Sequence, residues 1–202
     1  MYTFSTGCLY DCTQVVKRMK SRFLLGEGCF FGLCPVGNRQ TYGFGNVTGP
    51  RFYDEVQGRL ARLRERFAAF GEPVRQYLAA LSTDEQMHVS PIEWVESEVW
   101  HTRRMVLIGD AAHASIPKMG QGGSLAMEDA YVLAEILGRA RSIEQALAAY
   151  VTRRRERVTW VQQQSRVVAE SFGLPPATRN AVLRERGDQL MSARFSPLIP
   201  PP

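Results

Sequence analysis

The sequence predicts a mixed α/β (α+β) fold, and three patterns carry that prediction. Two aromatic-rich runs flank Gly37-Asn38, which is typical of a β-hairpin. Apolar residues then recur every three or four positions from Phe52 to Phe70, the period of an amphipathic helix. A short apolar run, Met105–Ile108, leads into a glycine-rich loop and a helical segment. A chain of 202 residues with these elements can bury a core in one or two domains.

The charge pattern argues against a nucleic-acid partner. The chain has a formal net charge of +5, and nearly all of its positive charge is arginine. These arginines alternate with glutamates along the predicted helices, which is typical of solvated helix faces. Even the densest run, Arg153–Arg157, is better explained as a solvated helix turn than as an anion site.

Neither a membrane anchor nor a metal site is expected. No run approaches the ~18 apolar residues of a membrane span, and the N-terminus lacks the charged-then-apolar layout of a signal peptide. Cys8, Cys12, Cys29 and Cys34 miss the C-x2-C spacing of zinc pairs, and no histidine lies near them. We therefore expect reduced thiols and a cytoplasmic location.

The first predicted elements are a hairpin and two helices. The hairpin pairs Phe30–Cys34 with Thr41–Val47 around a turn that needs positive φ at Gly37-Asn38. The helical period over Phe52–Phe70 is interrupted by Gly71 and Pro73, and a shorter helix is predicted over Val74–Leu81. The aromatic residues of the first helix are expected in the core.

The second half of the chain is predicted to be mostly helical. Met87–Glu98 has a loosely extended pattern and favours a strand that leads back to Met105–Ile108, itself predicted to be a strand buried on both faces. A capping box of Ser142 and Gln145 begins a helix expected to cover Ile143–Phe172. The remaining predictions are a helix over Ala177–Ser192 and an extended or disordered proline-rich tail.

The stretch from Gly109 to Ser124 has the residues that a cofactor's polar groups require. Asp110, at the end of a strand, can accept a hydrogen bond from a cofactor hydroxyl. A helix that begins at Ser124 offers backbone N–H groups and about half a positive charge, worth roughly 0.3–1 kcal/mol to a nearby anion. Glycines let a planar ring approach the backbone closely. Taken singly, each residue also has a structural explanation, since Gly-Asp often forms turns and serine caps many helices.

The spacing of these residues, taken together, favours a cofactor site over separate structural roles. The pattern G-D-A-A-H-x3-P-x2-G-Q-G-G, from Gly109 to Gly123, closely resembles the second FAD fingerprint of flavin-dependent aromatic hydroxylases and related class A monooxygenases. Agreement runs without a gap from Trp100 to Ala130. The Y-x2-R-R-x2-R pattern that begins at Tyr150 resembles the next helix of that family, and the hairpin resembles part of its substrate-domain sheet.

The resemblance implies specific roles. Asp110 is expected to hold the ribityl chain, with Gly109 allowing the close turn, and Pro117 to lie near the reactive edge of the flavin. A second group is expected to line the pyrimidine side of the ring: Gly120, Gln121, Gly122, Gly123 and Ser124. Many members have asparagine where this chain has Ser124. Because serine has no amide N–H, a side-chain donor bond from this position is not expected.

The resemblance also implies an activity and a domain arrangement. NAD(P)H would reduce the flavin, and O2 would supply the oxygen that hydroxylates an aromatic or polyketide-like small molecule. Residues 1–100 are expected to form part of a substrate domain, 101–174 the C-terminal part of an FAD-binding domain, and 175–202 a helix and tail. No acid or base is identified; His88, Trp94 and His101 are substrate-side candidates by composition only.

One expected motif is missing. The family's first fingerprint, G-x-G-x-x-G in a βαβ unit, is absent, and no Asp precedes a Gly. The sequence therefore resembles a C-terminal half, a piece that would need an N-terminal half or a homo-oligomeric partner. Losing two or three charge-assisted bonds to the ADP part would cost about 3–9 kcal/mol, so we expect weak or no FAD binding by the chain alone.

Two alternatives remain open at this point. One is a flavoprotein of the same fold that does not oxygenate, such as a dehydrogenase, a reductase or a halogenase. The other is a truncated, non-catalytic fragment that acts as a binding or assembly partner. Oxygen consumption with NAD(P)H and a candidate phenol would separate the first alternative from a monooxygenase.

Overall fold

The computed structural model of the protein describes residues 2–11, 21–38, 40–49 and 53–202. It forms two compact units, Met1–Ile92 and Glu93–Pro202. Strands lie in the first unit and long helices in the second, which confirms the mixed α/β class. The side chains of Cys8 and Cys12 lie outside the part of the chain that the structure describes.

The first unit is built on a five-stranded sheet in the order β2-β3-β4-β1-β5, and adjacent strands pair antiparallel. Its strands are β1 (Tyr2–Asp11), β2 (Arg22–Leu25), β3 (Cys29–Pro35), β4 (Gln40–Val47) and β5 (His88–Pro91). Two helices, α1 (Arg59–Arg66) and α2 (Val74–Ala80), and a 3-10 turn (Asp84–Gln86) connect β4 to β5.

The predicted hairpin is confirmed. Strands β3 and β4 pair in register from Cys29↔Val47 to Pro35↔Thr41. The turn has the positive φ values that its sequence requires, 86° at Gly37 and 47° at Asn38.

The core of the first unit lies between one face of this sheet and α1 and α2. Phe31 and Leu33 point to this face and pack with Phe67 and Tyr77 of the helical layer. Gly43 makes the close approach possible, because a Cβ there would lie 2.4 Å from a Tyr77 ring atom. The Tyr77 hydroxyl also accepts a hydrogen bond from the Gly43 N–H at 3.1 Å.

The first helix is shorter than the helix expected over Phe52–Phe70. Phe52 lies outside the described residues, and α1 begins only at Arg59 because Gly58 adopts a left-handed φ of 76°. Asp84 fixes this start: its carboxylate accepts from the Gly58 N–H and from the Leu60 N–H, both at 2.7 Å. This cap comes from a residue 24 positions beyond Leu60, so the local period does not reveal it.

The strand expected over Met87–Glu98 is also shorter. Only His88–Pro91 pairs, as β5, with β1. The ladder ends at Pro91, which has no N–H to donate to a neighbouring strand.

The second unit is helical. Its helices are α3 (Asp110–His113), α4 (Gly122–Leu137), α5 (Ile143–Phe172) and α6 (Pro176–Phe195), followed by a 3-10 turn (Ser196–Leu198). The bounds predicted for α5 are confirmed, and the Ser142 hydroxyl accepts from the Gln145 N–H at 3.3 Å as its cap requires. The helix predicted over Ala177–Ser192 is present as α6 and is slightly longer.

The prediction of a buried strand over Met105–Ile108 is wrong for this chain. Within the described residues this segment makes one isolated bridge, Val106 to His101, and Met105 is 69% exposed. Leu107 and Ile108 are exposed too. A strand buried on both faces needs paired neighbours, and here only the single bridge supports it.

Two further boundaries are corrected. Helix α4 begins at Gly122, with Gln121 as its N-cap, so Ser124 lies inside the first turn and does not cap the helix. The tail, expected to be extended or disordered, contains a 3-10 turn, and the Arg157 guanidinium binds the carbonyl oxygens of Leu198 and Pro200 at 2.8 and 3.0 Å. These arginine bonds use carbonyls that a proline-rich segment leaves unpaired.

Candidate functional site

The Gly109-Asp110 turn lies directly against α4. Gly109 has φ 56° and ψ −142°, a conformation that only glycine adopts without strain. A Cβ there would lie 3.2 Å from the Cβ of Ala126. Asp110 begins α3 with an exposed side chain, and no described group donates a hydrogen bond to its carboxylate. The turn therefore presents a free acceptor beside the N-terminal part of α4.

The glycine loop leaves open space in front of the helix N-terminus. Gly120 has φ 63°, and a Cβ at Gly120 or Gly123 would meet no atom within 4 Å. At Gly122 the nearest atom would be Oδ1 of Asp110, at 3.9 Å. The loop thus brings the predicted acceptor and the predicted donors to the same place.

The backbone N–H groups of this first turn are available to a ligand. Gly122, Gly123 and Ser124 precede the first intrahelical donor, Leu125, whose N–H bonds to the Gln121 carbonyl at 2.8 Å. No side chain caps the helix, and the Gln121 amide instead turns back to the Met119 carbonyl at 3.5 Å. A helix start of this kind suits an anionic or electron-rich group.

These features fit the polar groups of a flavin. The Asp110 carboxylate suits a ribityl hydroxyl, which needs an acceptor, and the amides of Gly122–Ser124 suit the negative charge of a reduced ring. The missing Cβ atoms leave room for a flat ring against the backbone. Pro117 is exposed on the same loop. The roles of these residues remain predictions.

A buried charge network behind the turn was not predicted. The Asp129 carboxylate, on α4, accepts hydrogen bonds from the Gly109 N–H at 2.8 Å, from His113 Nε2–H at 2.7 Å and from Arg154 Nε at 2.7 Å. Asp129 and Arg154 are fully buried. Arg154 also reaches Glu128 at 2.8 Å. The network ties the Gly109 turn to α4 and α5.

Hydrogen bonding keeps this buried carboxylate ionised. Burial alone would raise the pKa of Asp129, but the bonds from His113, Gly109 and Arg154 outweigh burial and lower the pKa to about 2. Tyr150 lies near the same charge, and burial together with Asp129 raises the pKa of its phenol. At neutral pH the ionised Asp129 carboxylate therefore lies beneath the turn, paired with the Arg154 guanidinium.

The sequence does contain a signal for this network. Leu125, Asp129 and Val132 follow the i, i+4, i+7 spacing of one helix face, so a carboxylate interrupts the apolar stripe of α4. On α5, Arg154 likewise falls between Tyr150 and Val158 on the buried face. A carboxylate and a guanidinium on two buried stripes predict a pair, because neither is buried alone.

Lys118 lies in the same loop, between Pro117 and Gly120. Its ammonium group is over the Phe172 ring, 4.3 Å from the centroid. Burial lowers its pKa to about 8. The loop therefore carries a cation whose charge is lost in mildly alkaline solution.

The substrate-side candidates are dispersed. His88 is exposed in β5. Trp94 is 52% exposed, and His101 is half-buried, with Nδ1 3.0 Å from the Thr102 carbonyl oxygen. None of these contacts indicates an acid or base role.

The described residues contain neither a membrane-spanning helix nor a metal-binding cluster. No helix there combines the length and the apolar character needed to cross a membrane. Across the same residues, His, Cys, Asp and Glu side chains form no group of three or more that could hold a metal ion.

Comparison with known proteins identifies the family. The sequence model of a family described as an FAD binding domain matches residues 29–165. The aurachin C monooxygenase/isomerase of Stigmatella aurantiaca is 35% identical over 147 residues, which are 73% of this chain and 38% of that protein. The FAD-dependent urate hydroxylase of Klebsiella pneumoniae is 37% identical over 137 residues, 66% of this chain and 35% of that protein.

Solved structures agree on the fold. Klebsiella pneumoniae HpxO, complexed with FAD and uric acid, superposes with a TM-score of 0.78 at 24% identity, covering 96% of this chain and 51% of that one. A salicylate hydroxylase substrate complex gives a TM-score of 0.68 at 22% identity, with 100% of this chain and 57% of that one covered. The chain thus spans about half of each solved relative. It belongs to the family of FAD-dependent, aromatic-hydroxylase-like monooxygenases.

Proposed function

We propose that this chain supplies the ribityl and flavin-ring side of the FAD site of a monooxygenase that hydroxylates an aromatic or polyketide-like small molecule. The observation that carries the proposal is the open space shared by the Asp110 carboxylate and the free amides of Gly122–Ser124. When bound, FAD supplies the redox chemistry, taking electrons from NAD(P)H and passing oxygen from O2 to the substrate.

The residues of this chain would bind FAD and orient its flavin ring. Asp110 accepts from a ribityl hydroxyl and fixes the cofactor's arm. Gly122, Gly123 and Ser124 would donate their N–H groups to the pyrimidine side of a bound ring and would stabilise the negative charge of its reduced form. Gly120 and Gln121 shape the loop that precedes these donors, and Pro117 stiffens this loop and would lie near the reactive edge of a bound flavin.

The sheet of the first unit offers a surface for an aromatic substrate. Opposite the face that packs on the helices, Phe30 contacts Phe23 and Phe44 at ring-centroid distances of 6.0 and 5.5 Å, and Tyr42 stacks on Phe44 at 5.5 Å. Phe23 is 59% exposed. Aromatic side chains favour stacked or edge-on contacts with other planar rings. This cluster supports an aromatic rather than an aliphatic substrate.

The domain assignment belongs to the same proposal. Residues 1–100 would form part of the substrate domain, 101–174 part of the FAD domain, and 175–202 the terminal helix and tail. The remaining FAD contacts would come from an N-terminal half, supplied in the same polypeptide, by a separate chain or within a homo-oligomer. The thiol of Cys34, which forms no disulfide bond, is compatible with a cytoplasmic location.

A flavin titration of the isotopically labelled chain tests the cofactor assignment. Riboflavin or FAD should shift the amide resonances of Gly109, Gly120 and Gly122–Ser124 in a saturable way. Flavin-dependent shifts confined to other residues would refute it, as would an absence of flavin binding in a preparation assembled with an N-terminal half. In a preparation assembled with an N-terminal half, incorporation of labelled oxygen from O2 into a phenol separates a monooxygenase from a dehydrogenase, reductase or halogenase.

A further inference from the structure

The Asp129 carboxylate lies directly beneath the flavin-facing turn. Its three donors come from three parts of the fold: the Gly109 backbone, the His113 side chain of α3 and Arg154 of α5. Asp129 itself is fully buried and cannot touch a ligand. It acts only through the groups that it holds.

The network controls where Asp110 stands relative to the start of α4. Asp110 follows Gly109 in the chain, so the bond from the Gly109 N–H to Asp129 fixes the residue that precedes the acceptor. Its bond to His113 fixes the other end of the single-turn helix α3. Asp129 belongs to α4, the helix whose first turn carries the donor amides. One carboxylate therefore links acceptor and donors.

We propose that Asp129 is a positioning residue of the flavin site, which holds the Asp110 carboxylate in register with the amides of Gly122–Ser124. This inference rests on the proposed function. Arg154 and His113 keep the Asp129 side chain in one rotamer by occupying both of its oxygens. The Gly109 N–H shares Oδ2 with His113, so loss of either donor loosens the turn.

The test compares four variants of the full chain. Asp129→Asn preserves size but replaces one acceptor oxygen with a donor, and His113→Phe removes a single donor while retaining a ring. Glu135→Gln neutralises another carboxylate of α4, which pairs with Arg139 and Arg153, two residues outside the Asp129 network. Val132→Ala opens a cavity one turn further along the same buried face of α4 and controls for destabilisation.

Riboflavin affinity, Gly109 amide exchange and melting temperature are measured for each variant. Asp129→Asn should weaken riboflavin binding about 10- to 100-fold, the range seen when a group that orients metal ligands is removed. His113→Phe should weaken it less, and both should accelerate Gly109 exchange. Glu135→Gln and Val132→Ala should keep the wild-type affinity within about twofold, although Val132→Ala lowers the melting temperature.

The outcomes separate the two proposals. Wild-type affinity in Asp129→Asn and His113→Phe overturns the positioning role and leaves the flavin assignment standing. Equal weakening in Val132→Ala also overturns it, because the effect would then follow stability alone. If the wild-type chain alone binds no riboflavin, the variants are compared after assembly with an N-terminal half, and absence of flavin binding there overturns the flavin assignment, and the positioning role with it. If Asp129→Asn does not fold, the comparison of His113→Phe with Val132→Ala decides.

Discussion

The Asp129 carboxylate and the Arg154 guanidinium meet at 2.7 Å with neither side chain exposed to solvent. A pair of this kind stabilises less than its short distance implies, because both charges have lost their hydration. Removing one partner is far more damaging, since the other is left buried and uncompensated. The pair is therefore a sensitive point of the second unit.

Arg154→Met is expected to lower the free energy of unfolding by about 3–5 kcal/mol. The variant retains the bonds from Gly109 and His113, but it leaves the buried Asp129 carboxylate without its guanidinium partner. Arg153→Met is the control, because Arg153 pairs with Glu135 at 2.9 Å with 38% of its side chain exposed and should cost about 1 kcal/mol or less. Urea unfolding measures the free energy of unfolding of both variants, and similar decreases in Arg154→Met and Arg153→Met would contradict the buried-pair explanation.

The Asp129 carboxylate also predicts that the chain loses stability in acid. The pKa of Asp129 is lowered from 3.8 to about 2 in the folded chain. Above pH 3.8 this contributes about 2 kcal/mol of stability, which is lost as the pH falls through 2, where the folded form also takes up the proton. Unfolding followed between pH 2 and 5 should therefore show a steeper slope for the wild type than for Asp129→Asn. Parallel curves would contradict the prediction.

The buried Lys118 ammonium group predicts that the stability of the chain changes at alkaline pH. Its folded pKa of about 8 lies below the ordinary 10.5, so between these values the unfolded chain binds more protons and stability rises with pH. Lys118→Met should flatten this rise and add up to about 3 kcal/mol at pH 7, less whatever the contact with Phe172 contributes. Thermal unfolding from pH 7 to 10.5 measures the pH dependence of stability, and an equal slope in the wild type and Lys118→Met would refute the prediction.

Gly123→Ala separates the fold from flavin binding. A Cβ at Gly123 meets no atom within 4 Å, and alanine favours a helix over glycine by up to about 1 kcal/mol, so the melting temperature should hold or rise. Flavin affinity should nevertheless fall, because the new methyl group occupies the space assigned to the ring. Gly187→Ala, at an equally open position in α6, should match the stability change without affecting flavin. Unchanged affinity in Gly123→Ala would remove this glycine from the site.

Elements with a strong local signal could be predicted from the sequence. The Gly37-Asn38 turn demands positive φ, and helix α5 carries its own cap and its own stop at Gly173. These determinants lie within a few residues of the element that they define. The Gly109–Gly123 spacing is equally local, and it led to the family.

Elements defined by distant residues could not be predicted in this way. The start of α1 depends on Asp84, far along the chain, and the strand expected over Met105–Ile108 depends on pairing that its own residues do not determine. The Asp129–Arg154 pair joins α4 and α5 through two residues that are 25 positions apart, and neither residue type by itself indicates burial. Only the apolar stripes around them revealed their burial.

The most direct test of the central claim compares the affinities of riboflavin, FAD and ADP for the chain, followed by amide shifts. We expect riboflavin and FAD to bind with affinities within about threefold of each other and to shift the same amides, those around Gly109 and Gly122–Ser124. ADP should shift none of these amides, because no G-x-G-x-x-G unit is present to hold it. FAD binding about 100-fold tighter than riboflavin, or ADP shifts at those amides, would contradict it.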